Sequence, residues 1–230
     1  MNTESPHRFA VLIPAYNAAS TIESVLEGAR SHSPDVIVVV DDGSTDGTQD
    51  IAAEHAELVL RHQTNLGKGA ALITGLGYLQ RHGYDVAITL DADGQHSVDS
   101  IPDLLGRFIE TDCELVLGCR PFSLGKMPFL RLIANRLSSF WVSAICRTKI
   151  RDSQCGFRLY KLSAIRLDEL TTHGFETETE ILLETCLRGS RIEQVPTPLI
   201  YKSDGQSHFR QGADTLAIAR VIVRYLFGKR

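Results

Sequence analysis

Short apolar runs alternate with longer amphipathic stretches through the first half of the chain. Phe9–Pro14 is a compact apolar run. Val36–Val40 is β-branched, too short for a helix and bounded by turn residues, so both predict buried strands. Leu58–Arg61, Val86–Leu90 and Leu115–Gly118 predict three more. Between them the spacing changes to that of helices. Ser20-Thr21-Ile22-Glu23 has the form of a capping box and opens a helix through about Arg30. Residues near 47–56, Gly69–Gln80 and Val98–Glu110 predict the next three helices. Strands and helices alternating in this way predict an α/β fold with a mostly parallel sheet.

Three consecutive predicted strands end in polar residues: Pro14–Asn17, Asp41–Asp46 and Asp91–Gln95. Open sheets of this class bind ligands beyond the carboxyl ends of their strands. In Asp91-Ala92-Asp93, side chains two apart on an extended chain point the same way, so the two carboxylates converge past a strand end, with Gln95 able to join them. Hard oxygen donors gathered there suit Mg²⁺ or Mn²⁺, which share their coordination with a diphosphate. An Asp-Gly turn alone has a plainer reading, a solvated bend. Asp42–Asp46 alone has one too, a helix-capping turn.

Later in the chain, Leu130, Ile133, Ala134, Leu137, Phe140, Trp141, Ala144 and Ile145 recur at helical spacing. Arg131 and Asn135 lie four apart on another face, with Arg136 nearby. Two readings compete: a core-packing helix with solvated arginines, and an amphipathic helix at a membrane surface. The segment Leu216–Phe227, with Arg220 and Arg224 four apart, has the same two readings. Phe175–Glu180 carries Glu176, Glu178 and Glu180. Acids are favoured at a helix N-terminus by the macrodipole, and one or two of them could instead face a site as a general base.

Composition changes the picture in one respect. With 230 residues, 43% hydrophobic and 23% charged, the chain is ordinary globular protein, and nothing in it reads as a linker, so a single domain (1–230) is expected. The net charge of −4 is segregated. Cys119–Arg151 carries seven basic residues (Arg120, Lys126, Arg131, Arg136, Arg147, Lys149, Arg151) and no acid; Gly205–Arg230 carries five basics and Asp214. Two basic segments in an otherwise acidic protein mark where an anionic partner sits. The five cysteines (113, 119, 146, 155, 186) are odd in number and contain no C-x-x-C, as expected of thiols in a reducing compartment. Residues 1–8 lack a signal-peptide core, and no apolar run reaches the roughly 18–20 residues that span a bilayer.

Familiar motifs are absent. There is no G-x-G-x-x-G after the first strand and no G-x-S-x-G. Gly67-Lys68-Gly69 fails the P-loop pattern at His62 and Gly69. The G-x-G-x-R pattern of sugar-1-phosphate nucleotidyltransferases is also missing. What remains is an ordered set: Val11-Leu12-Ile13-Pro14-Ala15-Tyr16-Asn17, Val40-Asp41-Asp42-Gly43-Ser44-Thr45-Asp46, Asn65-Leu66-Gly67-Lys68-Gly69 and Asp91-Ala92-Asp93-Gly94-Gln95-His96. This set resembles the family 2 glycosyltransferases, inverting enzymes of the GT-A nucleotide-diphosphosugar fold. Gly118-Cys119-Arg120, Arg151–Arg158 and Tyr201-Lys202-Ser203 through Ser207-His208-Phe209-Arg210 are similar to segments of the dolichyl- and polyprenyl-phosphate sugar synthases within it. Ala18 stands where the family often has Glu, and many relatives continue into transmembrane helices where this chain stops at Arg230.

The resemblance implies roles. Residues 1–120 form the nucleotide-sugar half and 121–230 the acceptor half with its amphipathic helices. Pro14, Ala15, Tyr16, Asn17, Asp42, Asp46, Gly67, Lys68, Asp91 and Ala92 line the nucleotide sugar, a GDP-mannose or UDP-glucose type of donor. Asp91, Asp93 and Gln95 hold Mg²⁺ or Mn²⁺. Arg120, Arg131, Asn135 and Arg136 take the phosphate of a polyprenyl acceptor, and Arg210 bridges donor and acceptor phosphates. Asp91, Asp93, Arg120 and Arg210 are thus the catalytic set. A phosphate acceptor is already anionic and needs no strong base; a hydroxyl acceptor on a glycan or lipid would need one of the three glutamates. A non-catalytic nucleotide-sugar-binding module is the third reading. His96 and His208 are expected to make polar or phosphate contacts. The expected location is cytoplasmic, peripheral on the membrane surface or beside an integral membrane partner, in cell-envelope glycan synthesis and with no nucleic-acid role.

Overall fold

The computed structural model describes residues 7–121, 129–198 and 212–228, with the side chains of 129–131 excepted. In chain order the elements are β1 (Phe9–Ala15), α1 (Ile22–Arg30), β2 (Val36–Asp41), α2 (Thr48–His55), β3 (Leu58–Arg61), α3 (Lys68–Arg81), β4 (Val86–Thr89), α4 (Ile101–Thr111), β5 (Leu115–Cys119), α5 (Phe129–Cys146), β6 (Arg158–Lys161), α6 (Thr177–Leu187), β7 (Ile192–Pro196) and α7 (Ala213–Leu226). The seven strands form one sheet in the order β3-β2-β1-β4-β6-β5-β7.

Apolar runs build the middle of this sheet because both of its faces are covered. Alternate residues of β1 and β2 go to opposite layers. Val11, Ile13, Ile37 and Val39 pack under α1, α2 and α4. Leu12, Val38 and Val40 pack under α3, with α5, α6 and α7 extending the same layer. Gly75 lets α3 lie directly on Leu12, whose Cδ1 is 2.2 Å from where a Cβ would stand.

The sheet is mostly parallel, as predicted, except at β6. That strand runs antiparallel to both neighbours, pairing Arg158 with Thr89 of β4 and with Leu117 of β5. Its direction brings the residues that precede it, 152–157, to the edge where β4 and β5 end. In the same register Ala15 lies beside Asp41, while β4 ends opposite Leu12. The segment after Thr89 therefore begins beneath the ends of β1 and β2, and the Leu90 N–H donates to the Leu12 carbonyl.

Three local expectations change. Helix α1 starts where predicted, yet no side chain caps it. Thr21 spends its hydroxyl on the Ala92 carbonyl, 2.6 Å away, and so ties α1 to the Asp91–Asp93 segment. Asp91 and Asp93 lie beyond the last residue of β4, so strand alternation does not align them. A turn does: the Gln95 N–H donates to Asp93 Oδ1 (2.9 Å) and Gly94 takes a positive φ of 67°. Helix α5 buries Leu132, Asn135, Ser139 and Val142 and turns Ile133, Leu137, Phe140 and Trp141 outward. Of the predicted apolar stripe, these last four and Ala144 face outward, while Ile145 packs against the core layer.

Candidate active site

The loops at this sheet edge are stitched together before any ligand is considered. Asn17 takes a left-handed φ of 47°. Its N–H donates to Ser44 Oγ, and its Oδ1 accepts from the Thr45 N–H. Asp46 accepts from Ala19 N, Thr48 N and Thr48 Oγ1, so it ties the first residue of α2 to the first loop. Asp42 is 2% exposed and its carboxylate is fully engaged. It accepts from Leu66 N (2.9 Å) and Gly67 N (2.8 Å) and bonds His62 Nδ1 (2.7 Å). Pro14, Ala15 and Ala92 are buried scaffold. Sequence reasoning placed all of these along the donor. The structure gives Asn17, Asp42 and Asp46 a different immediate task, fixing the edge that a donor would meet.

At the centre, the Lys68 ammonium donates to Asp91 Oδ1 (2.6 Å) and Glu178 Oε2 (3.0 Å). His96 Nε2 donates to the other Asp91 oxygen at 3.1 Å. Burial opposes charge on both partners, and it is outweighed. Asp91 and Glu178 hold Lys68 above its ordinary pKa, and Lys68 and His96 hold Asp91 well below the usual carboxylate range. Asp93 behaves oppositely: burial, then the Asp91 charge, pushes its pKa up. Asp91 and Asp93 repel each other electrostatically, and the Gln95 N–H holds Asp93 in the same turn; hard oxygen donors whose repulsion a divalent cation would relieve fit Mg²⁺ or Mn²⁺. Asp91 already serves two donors, which leaves Asp93 the freer ligand.

Backbone makes this corner possible. A Cβ on Gly156 would lie 2.8 Å from both Asp91 Oδ2 and Lys68 Nζ. A Cβ on Gly69 would fall 2.0 Å from Thr177 Oγ1, so α3 and α6 meet where Lys68 reaches Glu178. The loop before β6 is held by Arg158, fully buried, whose guanidinium donates to the carbonyls of Cys155, Ser153 and Glu178. Asp152 receives Arg120 bidentately, at 2.6 Å from Nε and 3.0 Å from Nη2.

The family model for glycosyl transferase family 2 matches residues 10–167, which span every loop just described. The chain belongs to that family. Among similar proteins, UDP-N-acetylglucosamine–dolichyl-phosphate N-acetylglucosaminyltransferase of Methanococcus voltae is 32% identical over 83% of this chain and 85% of its own. Undecaprenyl-phosphate mannosyltransferase of Micrococcus luteus is 31% identical over 93% of this chain and 92% of its own. Glucosyl-3-phosphoglycerate synthase from Mycobacterium tuberculosis, solved with Mn²⁺, UDP and phosphoglyceric acid, superposes with a TM-score of 0.72 at 21% identity, covering 98% of this chain and 79% of that one. The glycosyltransferase thus has the GT-A-like α/β fold.

The remaining predicted residues of this glycosyltransferase separate. Gln95 and Tyr16 are partly exposed near the same edge. Arg120 and Arg136 line one cleft beside α5, while Asn135 is buried within the helix packing. The Arg131 side chain, His208 and Arg210, together with the whole Tyr201–Arg210 motif, lie outside the described residues. Of the three glutamates, only Glu178 meets Lys68. Glu180 is consumed by Thr171, Thr172 and Arg224. Sequence reasoning missed Lys68–Glu178, Arg120–Asp152 and the Arg158 pin. Lys68–Glu178, Arg120–Asp152 and the Arg158–Glu178 bond of the pin each join residues 20 or more positions apart, and a lone Lys, Arg or Glu carries no signal for its partner.

Proposed function

We propose that this glycosyltransferase moves a hexose from a nucleotide diphosphate sugar to a polyprenyl phosphate, with inversion at the anomeric carbon. The observation that carries the reading is the Asp91–Gln95 turn, whose paired carboxylates stand at the edge where three stitched loops end. Asp93, Asp91 and Gln95 would hold Mg²⁺ or Mn²⁺; when bound, the ion supplies Lewis-acid neutralisation of the donor diphosphate. Tyr16 and Gly67 border the nucleotide, and Asn17, Asp42 and Asp46 fix the loops around it. Lys68 orients Asp91 and keeps it ionised. Arg120, held by Asp152, receives the acceptor phosphate together with Arg131, and Arg210 bridges the two phosphates; Asn135 is buried in the helix packing and Arg136 lines the cleft beside α5. Positioning and charge stabilisation then supply the rate, since the attacking oxygen is already anionic.

The dolichyl-phosphate and undecaprenyl-phosphate relatives named above support a lipid-phosphate acceptor, and residues 1–120 and 121–230 divide the labour between donor and acceptor. Among the described residues no helix is long and apolar enough to cross a membrane. The outward Ile133, Leu137, Phe140 and Trp141 of α5 favour a peripheral position on the cytoplasmic face. A donor screen with polyprenyl phosphate and Mn²⁺ tests the reading. Transfer from one nucleotide sugar, lost in Asp93→Asn, is the expected result; undiminished turnover by that variant removes the metal assignment. A hydroxyl acceptor keeps one supporting observation, the buried Glu178 facing Lys68. Loss of transfer in Glu178→Gln with donor binding intact would favour it.

A further inference from the structure

A second cationic feature lies on the far side of Arg120. A cavity of about 870 Å³ opens between α5, the turn after it and the ends of β5 and β7. Its lining includes Arg120 but not Asp91, Asp93 or Lys68. Arg136, Arg147, Lys149 and Arg151 stand around it, all exposed, and no acid lines it. None of these four makes an ion pair among the described residues. Between the charges the wall is apolar, with Pro121, Phe140, Ala144 and Pro196.

The basic turn is built, not incidental. Gln194 of β7 clamps it from both sides. Its Nε2 donates to the Lys149 carbonyl and its Oε1 accepts from the Arg151 N–H, each at 2.7 Å. Ser143 Oγ accepts from the Ile150 N–H at 2.9 Å. Arg147 ends α5 with a φ of 51°, a conformation in which glycine is the ordinary residue. A helix stop that glycine would make with less strain carries instead a guanidinium at the cavity mouth.

We propose that this cleft binds the phosphate headgroup of an anionic membrane phospholipid, distinct from the acceptor. Unopposed cations call for an anion. A free phosphate would leave most of this volume empty, whereas a headgroup with the first part of its chains would fill it and use the apolar wall. Phe140 and Ala144 also belong to the outward row of α5, so the cleft opens at the margin of the apolar surface. A lipid could enter it without leaving the bilayer. The inference rests on the membrane-surface reading of α5 but not on the donor chemistry.

Trp141 is the single tryptophan and packs edge-on against Phe140, with ring centroids 5.3 Å apart, so its fluorescence reports on this place. The full chain would be titrated with vesicles of phosphatidylcholine alone and with vesicles also containing phosphatidylglycerol. A saturable blue shift, much tighter with the anionic vesicles, is expected. Lys149→Gln/Arg151→Gln should weaken that binding on the order of 25-fold, about five-fold per charge near an anionic surface, while Arg81→Gln/Arg107→Gln on other helices changes it little. Arg147→Gly should weaken it about five-fold and yet raise the melting temperature, which separates lost binding from lost folding. Equal binding to both vesicle types overturns the cleft and leaves the membrane reading standing; binding to neither overturns both. Equal losses in the cleft and control variants overturn the proposal. So does displacement from vesicles by millimolar inorganic phosphate at constant ionic strength, or by short-chain polyprenyl phosphate.

Discussion

Lys68 Nζ stands 2.6 Å from Asp91 Oδ1 and 3.0 Å from Glu178 Oε2, joining the start of α3 to α6 across the site. The ammonium keeps Asp91 ionised but also opposes a second cation beside it. In Lys68→Met, Mn²⁺ affinity measured by calorimetry should rise several-fold while transfer falls by about 100-fold, roughly 2.7 kcal/mol of lost transition-state stabilisation. A fall in both would mean that Lys68 shapes the metal ligands and does not merely compete with the ion.

Gly156 packs directly against the Asp91–Lys68 pair. A methyl there would press on Asp91 Oδ2 and Lys68 Nζ at 2.8 Å. Gly156→Ala should keep its far-ultraviolet circular dichroism and lose transfer by about 10- to 100-fold, in line with the sensitivity of positioning to sub-ångström shifts. Transfer at the parent rate would show that the pair can move aside at no cost.

Arg120 and Asp152 are 8% and 0% exposed, a buried bidentate pair. Removing one partner strands the other: Asp152→Asn should lower unfolding free energy by about 3 kcal/mol or more in urea. The double variant Arg120→Met/Asp152→Asn should lose less than the two single changes summed. Simple additivity in this cycle would show that the pair is not coupled.

Glu180 gives a pH dependence with a definite sign. Burial alone would raise its pKa; the hydroxyls of Thr172 and Thr171, with Arg224, hold it below its ordinary 4.5. A depressed folded-state value contributes stability that is complete above the ordinary pKa and disappears as pH falls through the folded value. Glu180→Gln should therefore cost about 2–4 kcal/mol at about pH 7, and the gap from the parent should close as pH falls below the ordinary 4.5 and through the depressed folded value. An unchanged gap in acid would assign the cost to packing.

Most strands of the first half were legible because fully buried parallel strands are written as continuous apolar runs. β6 and β7 were not. Arg158-Leu159-Tyr160-Lys161 is four residues long and holds a buried arginine, and Ile192–Pro196 is an edge strand with polar members. The D-x-D corner was legible as a pair of acids, although a turn and not a strand aligns it. The stripe on α5 was legible as amphipathic, but periodicity does not say which face is inward. Here Asn135 and Ser139 are the buried ones because Ser139 meets Ser153 at 3.2 Å in the loop before β6. The dual use of Asp42 and Asp46 was legible only as a capping alternative.

The reversed direction of β6 carries a consequence for how the protein reaches its working state. Residues 9–61 can pair β1 through β3 by local crossovers, but β4 must find β1, and β6 must find β4, each some 70 or more positions upstream in register. Pairings of that span close slowly, after nearby ones. Gly156 and the Arg158 pin arrive with β6, so the Lys68–Asp91 corner is completed only when that strand is inserted. Capture of a nucleotide sugar would then mark the end of folding, and a chain arrested before that insertion would have much of its sheet but no donor site.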